Sequence, residues 1–335
     1  MDQASISKAK KLLSDKDFRV AIVTHTNPDG DALGSSLGLY GFLKKAGFAN
    51  VSVVSPNDYP LYLKWMPWQK EIIIADFNPE EAQEVILKAS LIFFLDLNGI
   101  KRAENIEQSL RNASAVKILI DHHPQPENDF DIMFSEINAS STAELVYKFI
   151  EALCKTELID KPIAECLYAG IVTDTGSFSY SCNLPETYEI TARLMKLGVD
   201  GEHIQRLIYN TQSPDKIRLL GYCLSEKLRL IPHQKVAYIS LTQDELMKFN
   251  HKEGDTEGVV NYALSIENIN LAALFIEKPD HVKISFRSVG KVDVNRLART
   301  YFNGGGHTNA SGGKSFENID STIKRFEELV KSGQV

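Results

Sequence analysis

The chain has 335 residues, of which 43% are hydrophobic and 24% charged, with 37 lysines and arginines against 44 aspartates and glutamates. The length suits about two domains, and the balance is that of a folded globular protein rather than a disordered, collagen-like or coiled-coil one. The net charge of −7 excludes a coat for long duplex nucleic acid, whose nonspecific grip needs many cationic contacts to phosphate, but leaves room for a short anionic ligand at a local basic site. No run approaches the roughly 18 apolar residues that span a bilayer, so no membrane partner is expected. Residues 1–13 read as a polar helix rather than a signal peptide. Cys154, Cys166, Cys182 and Cys223 form no CxxC pair. Four reduced thiols in a cytoplasmic protein without structural zinc are therefore expected.

In chain order, strands are predicted at 19–24, Val51–Ser55, 71–75, Leu91–Leu95, 116–120 and 130–137. Several are continuous apolar runs, as parallel strands covered on both faces require. Helices are predicted between or after them at 32–46, Pro79–Lys88 and 142–153. This alternation predicts an α/β fold with a doubly wound, mainly parallel sheet. Residues 184–209 read as further helices, and 210–215 as a linker. Beyond it come a helix over 216–229, strands at 236–242, Leu271–Glu277 and Val282–Ser288, and a helix around 257–267. A glycine-rich loop at 304–307 lies between helices near 294–302 and 321–332. The expected domains are residues 1–185, a helical connector over 186–215, and a smaller C-terminal α/β domain over 216–335, with a cleft between the domains.

Chemistry-bearing residues recur where apolar runs end. His25, Asp29 and Asp31 follow the first strand, Asp96 follows LIFFL, Asp121-His122-His123 follow KILI, and Asp174 follows AGIVT. Each has a structural alternative: Asp31 could cap the helix at 32–46, and the other aspartates could form turns. Their conjunction favours chemistry, because an open α/β sheet builds its site at the carboxyl ends of its strands. Asp29, Asp31, Asp96 and Asp174 would supply four negative charges that repel one another without a counterion. Two divalent cations would neutralise them, with His25 and His122 as neutral nitrogen ligands. Carboxylate and imidazole ligation without thiolate suits Mn²⁺, with Mg²⁺, Co²⁺ or Fe²⁺ as alternatives. In the C-terminal half, Gly304, Gly305 and Gly306 could form a phosphate nest beside His307. Arg287 could grip a phosphate. The alternatives are a plain turn and a surface ion pair. Arg102, six residues past Asp96, is a weaker phosphate candidate. His203, His233, His251 and His281 lie in no cluster, and Trp65 and Trp68 read as core cover.

The set His25-x-x-x-Asp29-x-Asp31, Asp96, Asp121-His122-His123 and Asp174 resembles the DHH phosphoesterases. The segments EGVVNY, SFRS and GGGH resemble the DHHA1 substrate-binding domain. The compact layout is similar to that of bacterial nano-RNases that also dephosphorylate 3′-phosphoadenosine 5′-phosphate (pAp). The resemblance implies one metal held by His25, Asp29 and Asp96, and a second held by Asp31, Asp96, His122 and Asp174. Asp121 would orient a ligating histidine, and His123 would touch the scissile phosphate. Arg287, Gly304–Gly306 and His307 would bind the far end of the substrate. The implied substrates are RNA oligonucleotides of about two to five residues and pAp, with closure of the domains about 210–215 as a further expectation. Relatives acting on cyclic di-AMP or pApA give an alternative substrate class, and a non-catalytic nucleotide-binding module a further reading. The oligomeric state is left open, a homodimer included.

Overall fold

The computed structural model describes residues 2–252 and 254–334, in two compact units, 1–211 and 212–335. The first unit holds α1 (Gln3–Leu12), β1 (Val20–Val23), α2 (Gly30–Lys45), β2 (Val51–Ser55), β3 (Ile72–Ile74), α3 (Pro79–Lys88), β4 (Leu91–Leu95), α4 (Glu107–Asn112), β5 (Val116–Asp121) and β6 (Ile132–Ser135). It ends with α5 (Thr142–Ala152), α6 (Lys161–Asp174), α7 (Pro185–Lys196) and α8 (Gly201–Tyr209). Its sheet runs β3-β2-β1-β4-β5-β6, and every pairing is parallel. β1 and β4 are buried at every residue, because helices cover both faces and leave nowhere for polar alternation. Ile22, Phe93 and Ile120 face one core with α2, α5 and α6, while Ala21, Phe94 and Leu119 face another with α3 and α4.

The strand order reverses direction between β1 and β4. A sheet of this order leaves a crevice at that switch point, outside the carboxyl ends of its strands. His25 and Asp96 follow those two strands.

Two local readings change. Asp29, not Asp31, caps α2, its carboxylate accepting from the Asp31 and Ala32 amides at 3.0 and 3.1 Å. Asp174, which follows the apolar run AGIVT, is the last residue of a helix, α6, rather than part of a turn. The run AGIVT is apolar because this helix is buried around its circumference, which a short continuous run cannot distinguish from a buried strand.

α2 and α6 touch along glycines. A Cβ on Gly34 would lie 2.5 Å from the Cys166 carbonyl oxygen and 2.8 Å from the Gly170 nitrogen. A Cβ on Gly170 would in turn meet the Ala143 side chain at 2.5 Å and an Asp31 carboxylate oxygen at 2.9 Å. Gly30, Gly34 and Gly38 recur at intervals of four residues, so they share one face of α2. This contact brings Asp31, near the start of α2, beside Asp174, at the end of α6.

The second unit opens with α9 (Pro214–Tyr222), a π turn at Cys223–Lys227 and β7 (Arg229–Ile231). It continues through β8 (Val236–Leu241), α10 (Gln243–Lys248), α11 (Val259–Leu264), β9 (Leu271–Glu277), β10 (Val282–Ser288), α12 (Val294–Tyr301), β11 (Gly305–His307), β12 (Ala310–Ser315) and α13 (Ile319–Lys331). Its mixed sheet runs β11-β12-β10-β9-β8-β7, with only β8 and β9 parallel. The helix expected over 216–229 ends earlier, and β7 takes its last residue. The loop expected at 304–307 contains β11.

A carboxylate secures α10. Glu245 closes a capping box with Thr242 and accepts from Lys227 Nζ and Tyr222 Oη, each at 2.7 Å. Burial raises the pKa of this carboxyl, but the Lys227 bond, the Thr242 amide and the Tyr222 hydroxyl outweigh it and hold it at about 2. The unfolded value is near 4.3, so the stabilisation is fully present above that pH and is lost as pH falls towards 2. Between pH 5 and pH 2 the second unit should lose on the order of 1–2 kcal/mol from this group, after allowing for solvent screening. Glu245→Gln should flatten that part of a urea-stability profile, and an unchanged slope would remove Glu245 as its source.

The glycine contact gives a second expectation. Gly34→Ala should cost on the order of 1–3 kcal/mol through overpacking, although alanine is about 1 kcal/mol the better helix former. The neighbours are backbone atoms that cannot rotate away. Gly221→Ala, on exposed α9 with nothing within 4 Å, should stabilise by about 0.5–1 kcal/mol. Thermal melts of the two variants read opposite signs; a stabilising Gly34→Ala would refute the close-packing account.

Candidate metal centre

Five segments of the first unit converge on one point. His25 leaves β1, Asp29 and Asp31 begin α2, Asp96 follows β4, Asp121 ends β5 with His122 and His123 beyond it, and Asp174 ends α6. Asp31, Asp96, Asp121 and His122 are almost completely buried. Asp96 has a left-handed backbone, φ 61°, a conformation that L-residues seldom adopt and that clusters at functional sites.

Among the described residues of the first unit, three overlapping groups of potential ligand atoms form, each with its atoms within 4.8 Å of one another. They are His25, Asp29 and Asp96; Asp31, Asp96 and His122; and Asp96, Asp121 and His123. Asp96 belongs to all three. His122 Nε2 lies 3.5 Å from both Asp96 Oδ1 and Asp174 Oδ2, and 3.9 Å from Asp31 Oδ2. His25 Nε2 lies 3.5 Å from Asp96 Oδ2.

The imidazoles are oriented from behind. His25 Nδ1 donates to the Thr26 carbonyl at 2.8 Å, and His122 Nδ1 donates to the Ala139 carbonyl at 3.2 Å. Each bond places a proton on Nδ1 and turns Nε2 towards the carboxylates, the orientation that metal ligation uses once Nε2 is unprotonated. Asp121 was expected to orient a ligating histidine; its carboxylate takes the 2.8 Å bond from His123 Nδ1. Its buried Oδ2 has no hydrogen-bond partner.

Electrostatics set the carboxylates apart. Burial and the charges of Asp96, Asp174 and Asp29 push Asp31 well above the usual carboxylate range, against the pull of the Ala143 amide. Burial acts the same way on Asp96, but His25, His123 and His122 overcome it and hold that carboxyl low. His122 is raised: burial opposes its protonation, but Asp174, Asp96 and Asp121 outweigh it. His123 is lowered, first by burial and further by Arg102, against the pull of Asp121. Crowded, desolvated carboxylates faced by ring nitrogens are a donor set for divalent cations once those nitrogens give up their protons.

Sequence reasoning missed the groups that hold the carboxylates. The amides of Thr142 and Ala143 donate to the two oxygens of Asp31 at 2.6 and 2.8 Å, and Thr142 Oγ1 donates to Asp96 Oδ1 at 2.9 Å. The signal available was the Ser141 cap of α5, since a capped helix start offers amides to an anion. Arg102 donates to the Asp96 carbonyl at 3.3 Å and accepts from the Thr26 amide at 2.8 Å through its own carbonyl. It therefore braces the loops that carry His25 and Asp96.

In the second unit, Arg287 pairs with Ala310 and Ala310 with His307 across β10, β12 and β11. The two chemistry-bearing residues thus share one sheet face, about 10 Å apart at the spacing of two strands. The open nest expected from the glycines is not what forms. The Gly304 amide donates to the Ala298 carbonyl at 3.2 Å and the Gly306 amide to Asn295 Oδ1 at 3.1 Å. These glycines serve close packing: a Cβ on Gly306 would meet the Ala310 carbonyl at 2.6 Å.

The model of the DHH family, N-terminal domain, matches residues 19–171, and that of the DHHA1 domain matches 233–332. A Streptococcus mutans protein named "Probable bifunctional oligoribonuclease and PAP phosphatase NrnA" is 30% identical over 316 residues, which is 93% of this chain and 95% of that protein. The crystal structure of an exopolyphosphatase-related protein from Bacteroides fragilis is 42% identical, with a TM-score of 0.93, covering 99% of this chain and 96% of that one. The cyclic-di-AMP phosphodiesterase GdpP of Bacillus subtilis is 25% identical over 335 residues, and the match covers 97% of this chain but only 49% of that protein. Fold and site together define a phosphoesterase of the metal-dependent, doubly wound class. The chain belongs to the DHH family, and its second unit is a DHHA1 domain. No helix among the described residues is long and apolar enough to cross a membrane.

A cation bound here should stabilise the fold by ligand linkage, about 2.7 kcal/mol when its concentration is 100 times Kd. Metal-stripped protein should therefore melt higher when Mn²⁺ is added. Asp96→Asn, which removes the charge common to all three groups, should lose most of that rise. An equal rise in the variant would show that Asp96 does not hold the ion.

Proposed function

We propose that the protein hydrolyses RNA oligonucleotides of about two to five residues to mononucleotides and removes the 3′-phosphate of pAp to give AMP. The observation that carries this reading is the triple use of Asp96 by overlapping carboxylate–imidazole groups at the sheet's carboxyl edge. Its support in substrate class is the similarity, over nearly the whole of both chains, to a protein named for those two activities. A net charge of −7 favours short substrates over long ones, since each added phosphate adds repulsion outside the local site.

In this reading His25, Asp29 and Asp96 hold one cation, and Asp31, Asp96, His122 and Asp174 hold a second, with Mn²⁺ the best match to the donors. Bound there, such ions supply positive charge that polarises a phosphate ester and lowers the pKa of water. His123 is held through Nδ1 by Asp121; as the imidazolium, the form the Asp121 carboxylate favours, it would donate from Nε2 to a phosphate oxygen on which charge develops. Burial of Asp31, Asp96 and His122 excludes bulk water and strengthens each of these interactions. Arg287 and His307, on one face of the second sheet, would bind phosphate and base.

The test is phosphate release from pAp by metal-stripped protein refilled with Mn²⁺, beside Asp96→Ala. Metal-dependent release that falls at least about a hundredfold in the variant, a loss of roughly 2.7 kcal/mol in transition-state stabilisation, is the expected result. Turnover of cyclic di-AMP or pApA with none of pAp or a short RNA would keep the metal centre and replace the substrate. Nucleotide binding without turnover of any of them would overturn the enzymatic reading.

A further inference from the structure

Residues 139–143 reach three members of the proposed centre. The Ala139 carbonyl takes the His122 Nδ1 proton at 3.2 Å, the Thr142 and Ala143 amides hold both oxygens of Asp31, and the Thr142 hydroxyl holds Asp96 Oδ1 at 2.9 Å. Thr142 is the one residue of this segment that bonds two carboxylates, one through its backbone and one through its side chain. It is fully buried, so no water competes for its hydroxyl.

The segment is itself anchored by a carboxylate that plays no part in the proposed chemistry. Glu144 is fully buried on α5. Its Oε2 accepts from the Ser140 hydroxyl at 2.6 Å, the Ser140 amide at 3.3 Å and the Thr187 hydroxyl of α7 at 2.7 Å. Its Oε1 has no partner. Burying a carboxylate with one oxygen unsatisfied costs stability, so its presence here calls for a compensating role. Ser141 closes the same turn, its hydroxyl accepting from the Glu144 amide at 3.0 Å.

We infer that Thr142 is a positioning residue for the metal centre, and that Glu144, acting through Ser140 and Thr187, fixes the segment that presents it. The inference rests on the metal-centre reading above. The Thr142 hydroxyl occupies one lone pair of Asp96 Oδ1 and so sets the rotation of that carboxylate. Oδ1 then serves the His122 side while Oδ2 serves the His25 side, as the 3.5 Å approaches of those two rings show. Without the hydroxyl, Asp96 is free to turn about its final bond, and one carboxylate no longer addresses both groups. Groups that orient metal ligands in this way change affinity by about 10–100-fold when removed.

The experiment measures Mn²⁺ binding to metal-stripped protein by calorimetry, with circular dichroism of the same samples as the folding control. Thr142→Val keeps the shape and the backbone amide and removes the hydroxyl; Thr142→Ser keeps the hydroxyl. Valine should weaken Mn²⁺ binding by about 10–100-fold, and serine should restore most of it. Should valine fail to fold, Thr142→Ala against Thr142→Ser makes the same comparison. Glu144→Ala, which touches no ligand, should weaken binding in the same direction. Wild-type protein that binds no Mn²⁺ would overturn the metal-centre reading itself. Wild-type affinity in a folded Thr142→Val protein, or equal loss in the valine and serine variants, would overturn the role of the hydroxyl alone.

Discussion

Asp31 and Asp96 are carboxylates held out of water within a few ångströms of each other and of a histidine. Two ionised groups cannot share such a place unless donors and positive charge are supplied from the surroundings. The first unit supplies them unequally. Asp96 faces three imidazoles, which keep it ionised. Asp31 faces two backbone amides at the start of α5 and three other carboxylates, and it is driven towards the protonated form. The pair is therefore an electrostatic imbalance built into the fold, which a divalent cation bound here would remove. Folding and binding of such a cation would be coupled at this point, because the same burial that strengthens ligation weakens the cation-free protein.

That arrangement depends on how closely two helices meet. Asp31 and Asp174 belong to different helices, and the distance between those helices is set where Gly34 lies against the backbone of α6. Gly170 also makes room for the Asp31 carboxylate itself. A larger residue at either place would move a carboxylate without changing any chemical group in the site. The parallel sheet contributes the other half: β1, β4 and β5 end side by side, so His25, Asp96 and the histidine pair emerge at one edge without long loops.

Most of this was legible in the residues. Leu91–Leu95 and Val51–Ser55 are continuous apolar runs, and strands covered on both faces leave that signature. The strand-end positions of Asp96 and of Asp121-His122-His123 followed directly from those strands. The helix that carries Asp174 was not predicted, because α6 is buried on nearly all sides and shows no amphipathic period. β11 and β12 escaped notice because GGH and ASGGKS lack the branched and aromatic residues that mark strands. The grip of Thr142 and Ala143 on Asp31 was invisible for a different reason: it is made by backbone amides, which every residue but proline possesses. The glycines of the GGGH segment look like an anion nest in the sequence, and only the bonds from Gly304 and Gly306 show that their amides are already committed.

The cysteines, all reduced, differ in their surroundings. Cys166 lies buried in the α2–α6 contact and Cys223 opens the π turn, where burial raises the thiol well above its usual range in the first case and to about 11 in the second. Cys182 is also buried, with the Tyr188 hydroxyl 3.5 Å from its sulfur. Cys154, just past α5, is the one exposed to solvent. Reaction with a maleimide near neutral pH requires an accessible thiolate, so a fluorophore or spin label would attach at this single place in the native chain. It would sit at the far end of the helix whose first amides hold Asp31, and could report on that helix without any engineered cysteine.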